Sequence, residues 1–379
     1  MSYSFSQLNS SSGSSSNSNR GRGRGGNRGG NQRGGGQGNR GGKSSDHQSV
    51  KSNDGGSIET YNKAALSELI SILDETNVGF VDTHVHFEYL LQRIPMKGSM
   101  QLADMSTSEK EQKLIEYLCF NTSSKDQMDK IIDRMNAFVC VFCDPTSFSS
   151  LGIWRDVISM DKLNVNVTFG LHPHNAKYYD EKMQERINQC IVEAGPKCVA
   201  YGECGLDYHY NNSTREEQVN CFTKQLQNAV FLGLPVVVHA REAEEDAFNI
   251  LTENLPKDWK IHVHCFTDSL KFAQKLMNHF PNLFIGFTGV ISYDPRKKGD
   301  DTEDEMVKVL KNVSLDRMLL ETDGPYMPVK LNVKSGKARP LAHSGHIPLI
   351  ANRIAQTKSI PVSDVLEQAR INTMKMYGI

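Results

Sequence analysis

The sequence of 379 residues lacks the features of a membrane or exported protein. No uninterrupted apolar run approaches the roughly 18–20 residues that a bilayer-spanning helix needs. The serine-rich first twenty residues have no apolar core of the kind that a secretory signal contains. These absences predict an intracellular protein, in the nucleus, the cytoplasm or both, that is neither secreted nor associated with a membrane.

The sequence also lacks the cysteine pattern of a disulfide-rich or structural-zinc domain. Its eight cysteines are scattered, mostly in apolar segments, through a chain that is large enough to fold without cross-links. Cys140 and Cys143 form a C-x-x-C pair, but the sequence has no second such pair to complete a structural zinc site. We therefore expect reduced thiols that pack in a strand; a redox role for this pair is the alternative.

Residues 1–58 contain few apolar side chains, which predicts a disordered tail. Residues 20–42 repeat Arg-Gly and Arg-Gly-Gly, and residues 1–50 carry a net charge of +6, which leaves −7 on the rest of a chain whose total is −1. Guanidinium groups contact phosphates and stack on bases, so we expect an RGG-like arm that binds nucleic acid, RNA especially. A solvated linker without a partner is the alternative.

Residues 59–379 are predicted to form one folded domain. A helix is expected at 59–77, after which short apolar runs alternate with amphipathic segments. Eight such units predict an α/β fold, a (β/α)8 TIM barrel. The expected strands are 78–83, 137–143, 165–170, 198–203, 235–239, 260–264, 283–288 and 317–322, and the expected helices include 178–194, 214–232, 243–254, 268–279, 302–312, 346–357 and 362–376.

The spacing between the first two predicted strands is unusually long. Residues 93–125 therefore read as an insertion in the loop after the first strand. In a barrel that loop lies at the mouth of the active site. The insertion either shapes substrate access or is a surface excursion without a role, and both readings stay open.

Histidine and carboxylate residues recur where the predicted strands end. His84 and His86 stand two apart, so on a strand both side chains point to the same face. Because barrel enzymes place their chemistry at the carboxyl ends of strands, the other residues are expected to converge on this pair. They are His172 and His174 after the third strand, Glu203 and Asp207 after the fourth, His239 and Arg241 after the fifth, His262 and His264 after the sixth, and Glu321 and Asp323 after the eighth.

So many histidines and carboxylates exceed the roughly three protein ligands that one catalytic metal needs. The excess predicts two divalent ions some 3.5–4 Å apart, bridged by a carboxylate. Imidazole and carboxylate ligands suit Zn, Mn and Mg alike, and the sequence does not choose among them.

The blocks at these strand ends resemble the signature blocks of the TatD-like metal-dependent hydrolases. They are Asp82-x-His84-x-His86, Gly170-Leu171-His172-Pro173-His174, Gly202-Glu203-Cys204-Gly205-Leu206-Asp207, Pro235-Val236-Val237-Val238-His239-Ala240-Arg241, His264-Cys265-Phe266 and Glu321-Thr322-Asp323-Gly324-Pro325, in order over about 78–379. The resemblance implies a TIM barrel, a divalent-metal site and phosphodiester hydrolysis, commonly of DNA and by exonuclease action. It also implies that one metal is held by His84, His86, Glu203 and Asp323, and the second by Glu203, His239 and His264.

Two blocks depart from the family pattern. The usual Cys-Phe-Ser-Gly-Ser is here Cys265-Phe266-Thr267-Asp268-Ser269, and the usual Asn-Glu-Pro is replaced by residues 343–348, of which only Pro348 is kept. These departures, the insertion and the Arg-Gly arm resemble a divergent eukaryotic-type branch, which leaves DNA, RNA or a hybrid open as substrate.

The expected activity is therefore two-metal hydrolysis of nucleic acid, with Glu203 and Asp323 as the catalytic residues. Asp323 is the best candidate to orient or deprotonate water. Arg241 is a candidate phosphate clamp or a rim salt bridge, and His172 and His174 either contact the phosphate or shape the turn at Pro173. The alternatives are an RNA-binding protein with a catalytically weak barrel and a hydrolase of another ester or amide. The sequence does not reveal the oligomeric state.

Overall fold

The computed structural model describes residues 55–95, 101–149, 152–293, 303–333 and 339–379. The Arg-Gly repeats lie outside the described residues, so the predicted tail stays a prediction. The first helix, α1 (Gly55–Glu75), begins four residues before the predicted start and so includes the last part of the predicted tail. Its apolar face packs on the body through Tyr61, Leu69 and Ile72, which are buried.

Eight parallel strands form one sheet in the order in which they occur along the chain. The last strand returns to the first, because the backbone N–H of Asp323 donates to the carbonyl of His84 at 2.9 Å and Val85 pairs with Gly324. The predicted (β/α)8 barrel is therefore confirmed. The strands are β1 (Phe80–Val85), β2 (Met135–Phe142), β3 (Val165–Phe169), β4 (Cys198–Asp207), β5 (Val236–Arg241), β6 (Ile261–Val263), β7 (Leu283–Phe287) and β8 (Met318–Leu320).

Helices surround the strands. Those after β3 begin within three residues of their predicted starts, whereas the helices between β1 and β3 have no predicted counterpart. Polar caps mark several starts: Thr214 and Glu217, for example, form a reciprocal capping box. The described helices after α1 are α2 (Phe87–Arg93), α3 (Thr107–Leu118), α4 (Lys125–Ile132), α5 (Trp154–Ile158), α6 (Glu181–Ala194), α7 (Arg215–Leu232), α8 (Glu244–Asn254), α9 (Leu270–His279), α10 (Glu305–Asn312), α11 (Ile347–Lys358) and α12 (Val362–Tyr377). In the part of the chain that the structure describes, no helix is both long and apolar enough to cross a membrane.

The described part of the predicted insertion folds back onto the barrel. Helix α3 is fixed by an ion pair of 2.6 Å between Lys110 and Asp156 of α5. At the end of α3, the ring of Phe120 lies against His343, with 4.5 Å between the ring centroids. The insertion thus supports the segment that follows the last strand.

The interior of the barrel is apolar near the end of α12 and polar at the carboxyl ends of the strands. Val139, Val199, Val237, Phe284 and Leu319 form a cluster with the end of α12. These apolar side chains fill the interior of the barrel. The polar side chains of the candidate site lie at the carboxyl ends of the strands.

Candidate metal centre

Glu203 on β4 lies at the centre of a group of histidines. Its side chain is 2 % exposed, so an ionised carboxylate here needs close cationic or donor partners. Atom Oε2 lies 3.5 Å from Nε2 of His84 and 4.0 Å from Nε2 of His86. Asp323 completes this side, with Oδ1 3.3 Å from Nε2 of His86 and 3.8 Å from Nε2 of His84.

The other oxygen of Glu203 faces a different set of histidines. Atom Oε1 lies 2.8 Å from Nε2 of His264, 2.9 Å from Nδ1 of His239 and 3.4 Å from Nε2 of His172. Nδ1 of His239 and Nε2 of His264 are themselves 3.0 Å apart. One carboxylate therefore separates two groups of nitrogen atoms, as a bridging ligand between two ions does.

Local backbone geometry brings these side chains together. Gly205 has a φ of +151°, and a Cβ there would lie 1.9 Å from the carbonyl oxygen of His239, so only glycine lets β4 approach β5 this closely. Asp323 has a φ of +49°, which is rare for a residue with a side chain. That conformation turns the Asp323 carboxylate toward His84 and His86.

The surrounding histidines favour the ionised form of the Glu203 carboxyl. Burial opposes ionisation of Glu203, but His264 and His172 hold the pKa of its carboxyl well below the usual range. Burial lowers the pKa of His84 to about 4, so this ring is neutral near pH 7 and its nitrogen lone pair is available to a metal. Anionic oxygens beside a neutral imidazole are a suitable environment for a divalent cation.

The residues present fit a divalent metal. Both ring nitrogens of His84 are buried and have no hydrogen-bond partner among the residues that the structure describes. Two ligand atoms about 2.0–2.2 Å from one ion lie roughly 3–3.5 Å apart. The contact of 3.5 Å from His84 to Glu203 is too long for a hydrogen bond and matches that separation.

Three groups offer ligand atoms that all lie within 4.8 Å of one another. One group holds His84, His86 and Glu203, as predicted for the first metal. In another group His172 accompanies Glu203 and His239, although the sequence analysis predicted His172 as a substrate-binding residue. The groups are His84 with His86 and Glu203, His84 with His264 and Asp323, and His172 with Glu203 and His239.

Asp207 supports His239, which lies on the Oε1 side of Glu203. Its Oδ2 lies 2.9 Å from Nε2 of His174 and 3.2 Å from Nε2 of His239. Burial opposes its ionisation, but these histidines hold the pKa of Asp207 far below the usual range. Asp207 therefore orients His239, a role that the sequence block containing it did not reveal.

Asp82 supports the backbone that carries His84 and Asp323. The Thr322 hydroxyl donates to its Oδ2 at 2.5 Å, the Thr322 backbone N–H to its Oδ1 at 3.0 Å, and the Ser344 hydroxyl to its Oδ2 at 2.7 Å. Burial raises the pKa of Asp82 to about 7 despite these donors. The carboxylate joins β1 to the segment around Asp323, and sequence spacing carries no signal for so distant a contact.

The three predicted substrate-binding residues lie at or near the centre. His172 faces Glu203, and His174 contacts Asp207. The guanidinium of Arg241 lies 5.3 Å from the ring centroid of Tyr210. Their contact with substrate stays a prediction.

Cys143 is placed differently from its partner in the C-x-x-C pair. Cys140 packs inside β2 as expected, whereas Sγ of Cys143 lies past the strand end, 3.6 Å from Oε2 of Glu203. The expectation of a strand-packing residue thus missed a thiol at the edge of the centre. The available signal was its place as the last residue of the predicted strand 137–143, since the carboxyl ends of barrel strands carry the chemistry.

Sequence comparisons identify relatives of this chain. It is 33% identical over 302 residues to a Homo sapiens protein named 3'-5' RNA nuclease TATDN2, and the match covers 79% of this chain and 35% of that protein. The chain thus spans about a third of the length of that relative. It is also 32% identical over 213 residues to the 3'-5' ssDNA/RNA exonuclease TatD of Escherichia coli (strain K12), which covers 56% of this chain and 77% of that enzyme.

Structural comparison gives the same fold. A crystal structure of a TatD homologue from Escherichia coli K12 superposes with a TM-score of 0.61 at 20% identity, covering 79% of this chain and 98% of that one. A TatD family hydrolase from Entamoeba histolytica has the same TM-score at 19% identity and covers 79% and 98%. Residues 81–378 match the model of the TatD related DNase family. The chain therefore belongs to the TatD DNase family.

Proposed function

We propose that the barrel is a divalent-metal-dependent nuclease that hydrolyses phosphodiester bonds in DNA or RNA as an exonuclease. The observation that carries the proposal is the position of Glu203, whose two oxygens face two separate groups of histidines. A bridging carboxylate is the arrangement that two-metal phosphodiester hydrolysis uses. The human and bacterial relatives are both named as 3'-5' nucleases, which supports the same activity.

The proposed ligands divide between the two oxygens of Glu203. On the Oε2 side, the first ion would be held by His84, His86, Glu203 and Asp323. On the Oε1 side, the second would be held by Glu203, His239 and His264, with His172 as a further candidate because its Nε2 is 3.4 Å from the same oxygen. The native metals are Mg, Mn or Zn.

When bound, the two cations supply positive charge that makes water more acidic and balances the charge of the phosphate. Asp323 directs Oδ1 at the histidines, so we assign its other oxygen, Oδ2, to accept the proton of the attacking water. The water oxygen then bonds to phosphorus as the bond to the leaving oxygen breaks, and that oxygen takes a proton from solvent. Arg241 is assigned to bind a non-bridging phosphate oxygen.

The RGG-like arm is proposed to hold nucleic acid near the barrel. An arm rich in arginine contributes phosphate contacts that depend on salt, and such an arm has little use on an enzyme for small molecules. It therefore favours nucleic acid over another ester or amide as the substrate.

The test uses full-length protein freed of metal by chelation and then given Mg, Mn or Zn. End-labelled single-stranded DNA, single-stranded RNA and a hybrid are the substrates. We expect metal-dependent release of end nucleotides from at least one of them and loss of that release in Glu203→Ala. Glu253→Ala is the matched control, since this exposed residue on α8 lies away from the centre. Cleavage that persists in Glu203→Ala would contradict the proposal.

A further inference from the structure

Two tyrosine–arginine pairs stand at the rim of the centre. Tyr326 is 37% exposed, and the guanidinium of Arg93 lies 4.8 Å from its ring centroid. Tyr210 is 48% exposed, and the guanidinium of Arg241 lies 5.3 Å from its ring centroid. Each pair thus offers solvent an aromatic surface beside a positive charge.

Tyr326 lies against His86, a candidate ligand, and Tyr210 lies against His174, a predicted substrate-binding residue. The centroid of Tyr326 lies 6.1 Å from that of His86, and its backbone N–H donates to the carbonyl of Asp323 at 2.9 Å. The centroid of Tyr210 lies 5.2 Å from that of His174, which contacts Asp207 behind His239. A group bound at the centre is therefore within reach of both rings.

Strand order places the two pairs on opposite sides of the barrel mouth. Tyr326 follows β8 and Arg93 lies on α2, directly after β1. Tyr210 follows β4, and Arg241 is the last residue of β5. In a closed sheet with the order β1 to β8, the β8–β1 side faces the β4–β5 side across the centre.

We propose that the two pairs stack on the two bases that flank the scissile phosphate, one base on each side of the mouth. This inference rests on the proposed nuclease function and specifies its substrate. Bases stack on tyrosine rings regardless of sequence, and arginine adds cation–π and phosphate contacts. Drawing adjacent bases to opposite walls separates them from each other, which a paired strand resists. The substrate is therefore an unpaired strand end with a base on both sides of the bond.

The test is a cycle between protein and substrate variants in the full chain. Tyr326→Ala and Tyr210→Ala are each assayed on a single-stranded oligonucleotide and on versions with an abasic residue at the terminal or the next position. We expect each variant to lower kcat/KM for the natural oligonucleotide about tenfold, or about 1.4 kcal/mol. On one of the two abasic substrates, each variant should have the same kcat/KM as the wild type, because the base that its tyrosine contacts is missing. That substrate should differ between the two tyrosines.

Conservative and remote variants separate stacking from misfolding. Tyr326→Phe and Tyr210→Phe keep the ring, so they should recover at least half of the wild-type kcat/KM. Phe231→Ala removes a 77% exposed aromatic side chain on the last turn of α7, at the other end of the barrel, and serves as the control. The stacking proposal would be overturned if each Tyr→Ala variant lowered kcat/KM by the same factor on both abasic substrates as on the natural one. It would also be overturned if the Phe variants had kcat/KM values as low as those of the Ala variants.

Binding measurements separate this proposal from the nuclease proposal. Fluorescence anisotropy with the same oligonucleotides, in protein that also carries Glu203→Gln, repeats the cycle without turnover. If the tyrosine variants and the abasic positions had coupled effects on binding, but the wild type did not cleave, the nuclease function alone would be contradicted. Cleavage without coupling would contradict the stacking alone, and neither cleavage nor binding would contradict both.

Discussion

Asp207 and His239 meet through Oδ2 and Nε2 at 3.2 Å, and this contact leaves Nδ1 of the same imidazole ring 2.9 Å from Glu203. With the proton on Nε2, the Asp207 carboxylate accepts a hydrogen bond from Nε2–H, and the lone pair of Nδ1 then faces the centre. A second carboxylate of this kind fixes both the tautomer and the orientation of a ligand histidine.

Replacing Asp207 should therefore weaken metal binding without removing a ligand. We expect Asp207→Asn to lower the affinity of the centre for Mn²⁺ by about 10–100-fold. Equilibrium dialysis against Mn²⁺ measures this change directly. Asp316→Asn, at an exposed position in the turn before β8, is the matched control and should bind as the wild type does. Equal affinity in both variants would argue that Asp207 has no orienting role.

Removing the Ser344 hydroxyl should destabilise the fold. The hydroxyl donates to Asp82, whose carboxyl is 1 % exposed, and loss of a donor to a buried carboxyl costs about 1–3 kcal/mol. We expect Ser344→Ala to lower the free energy of unfolding by that amount in urea titrations. Ser363→Ala, which loses an exposed contact with Asp364, should stay within about 0.5 kcal/mol of the wild type. If the two variants were equally stable, Ser344 would not be needed to hold Asp82.

His346 should make stability depend on pH. Burial lowers its pKa from 6.5 to about 4, and its Nε2 lies 3.0 Å from the hydroxyl of Tyr61 on α1. Below about pH 6.5 the unfolded chain binds a proton that the folded chain does not, so stability present above that pH falls as pH decreases toward 4. Between these pH values the free energy of unfolding is expected to fall by about 3 kcal/mol.

The measurement is urea unfolding of wild type and His346→Gln at pH 7 and pH 5. We expect the wild type to lose more stability between these values than the variant does. His279→Gln is the control, because this residue ends α9 and its ring lies against Phe248 and Phe280 instead of Tyr61. An identical pH dependence in wild type and His346→Gln would show that protonation of this ring is not linked to folding.

Deletion of residues 1–54 should weaken nucleic-acid binding. The deletion removes the Arg-Gly repeats and leaves α1 whole, since that helix begins at Gly55. Loss of arginine–phosphate contacts lowers affinity and flattens its dependence on salt. Anisotropy titrations at several salt concentrations measure both quantities. Unchanged affinity with an unchanged salt slope would reduce the arm to a linker.

The sequence predicts the barrel and its central residues because both depend on local patterns. The spacing of His84 and His86 predicts that they share one face of the chain, and Glu203 and His264 stand at the ends of predicted strands that a parallel barrel brings together. Strand lengths were less predictable. β4 continues to Asp207 because glycines let it stay paired with β5, and β8 has only three residues because the chain then turns inward at Asp323.

The supporting contacts depend on distant parts of the chain. Ser344 reaches Asp82 across 262 residues, and Tyr61 reaches His346 across 285. No periodicity relates such positions, so their roles follow only once the barrel has closed. The same reason hides the position of Cys143 beside Glu203, which depends on how β2 and β4 end.

The most direct test of the central claim counts the divalent ions that Glu203 helps to hold. Metal-free wild type and Glu203→Gln are titrated with Mn²⁺ by equilibrium dialysis, and cleavage of end-labelled oligonucleotides is measured in the same samples. We predict two ions per wild-type chain, fewer in Glu203→Gln, and loss of cleavage with the lost ion. A wild type that binds no Mn²⁺ in the centre, or a variant that keeps both ions and full cleavage, would contradict the account.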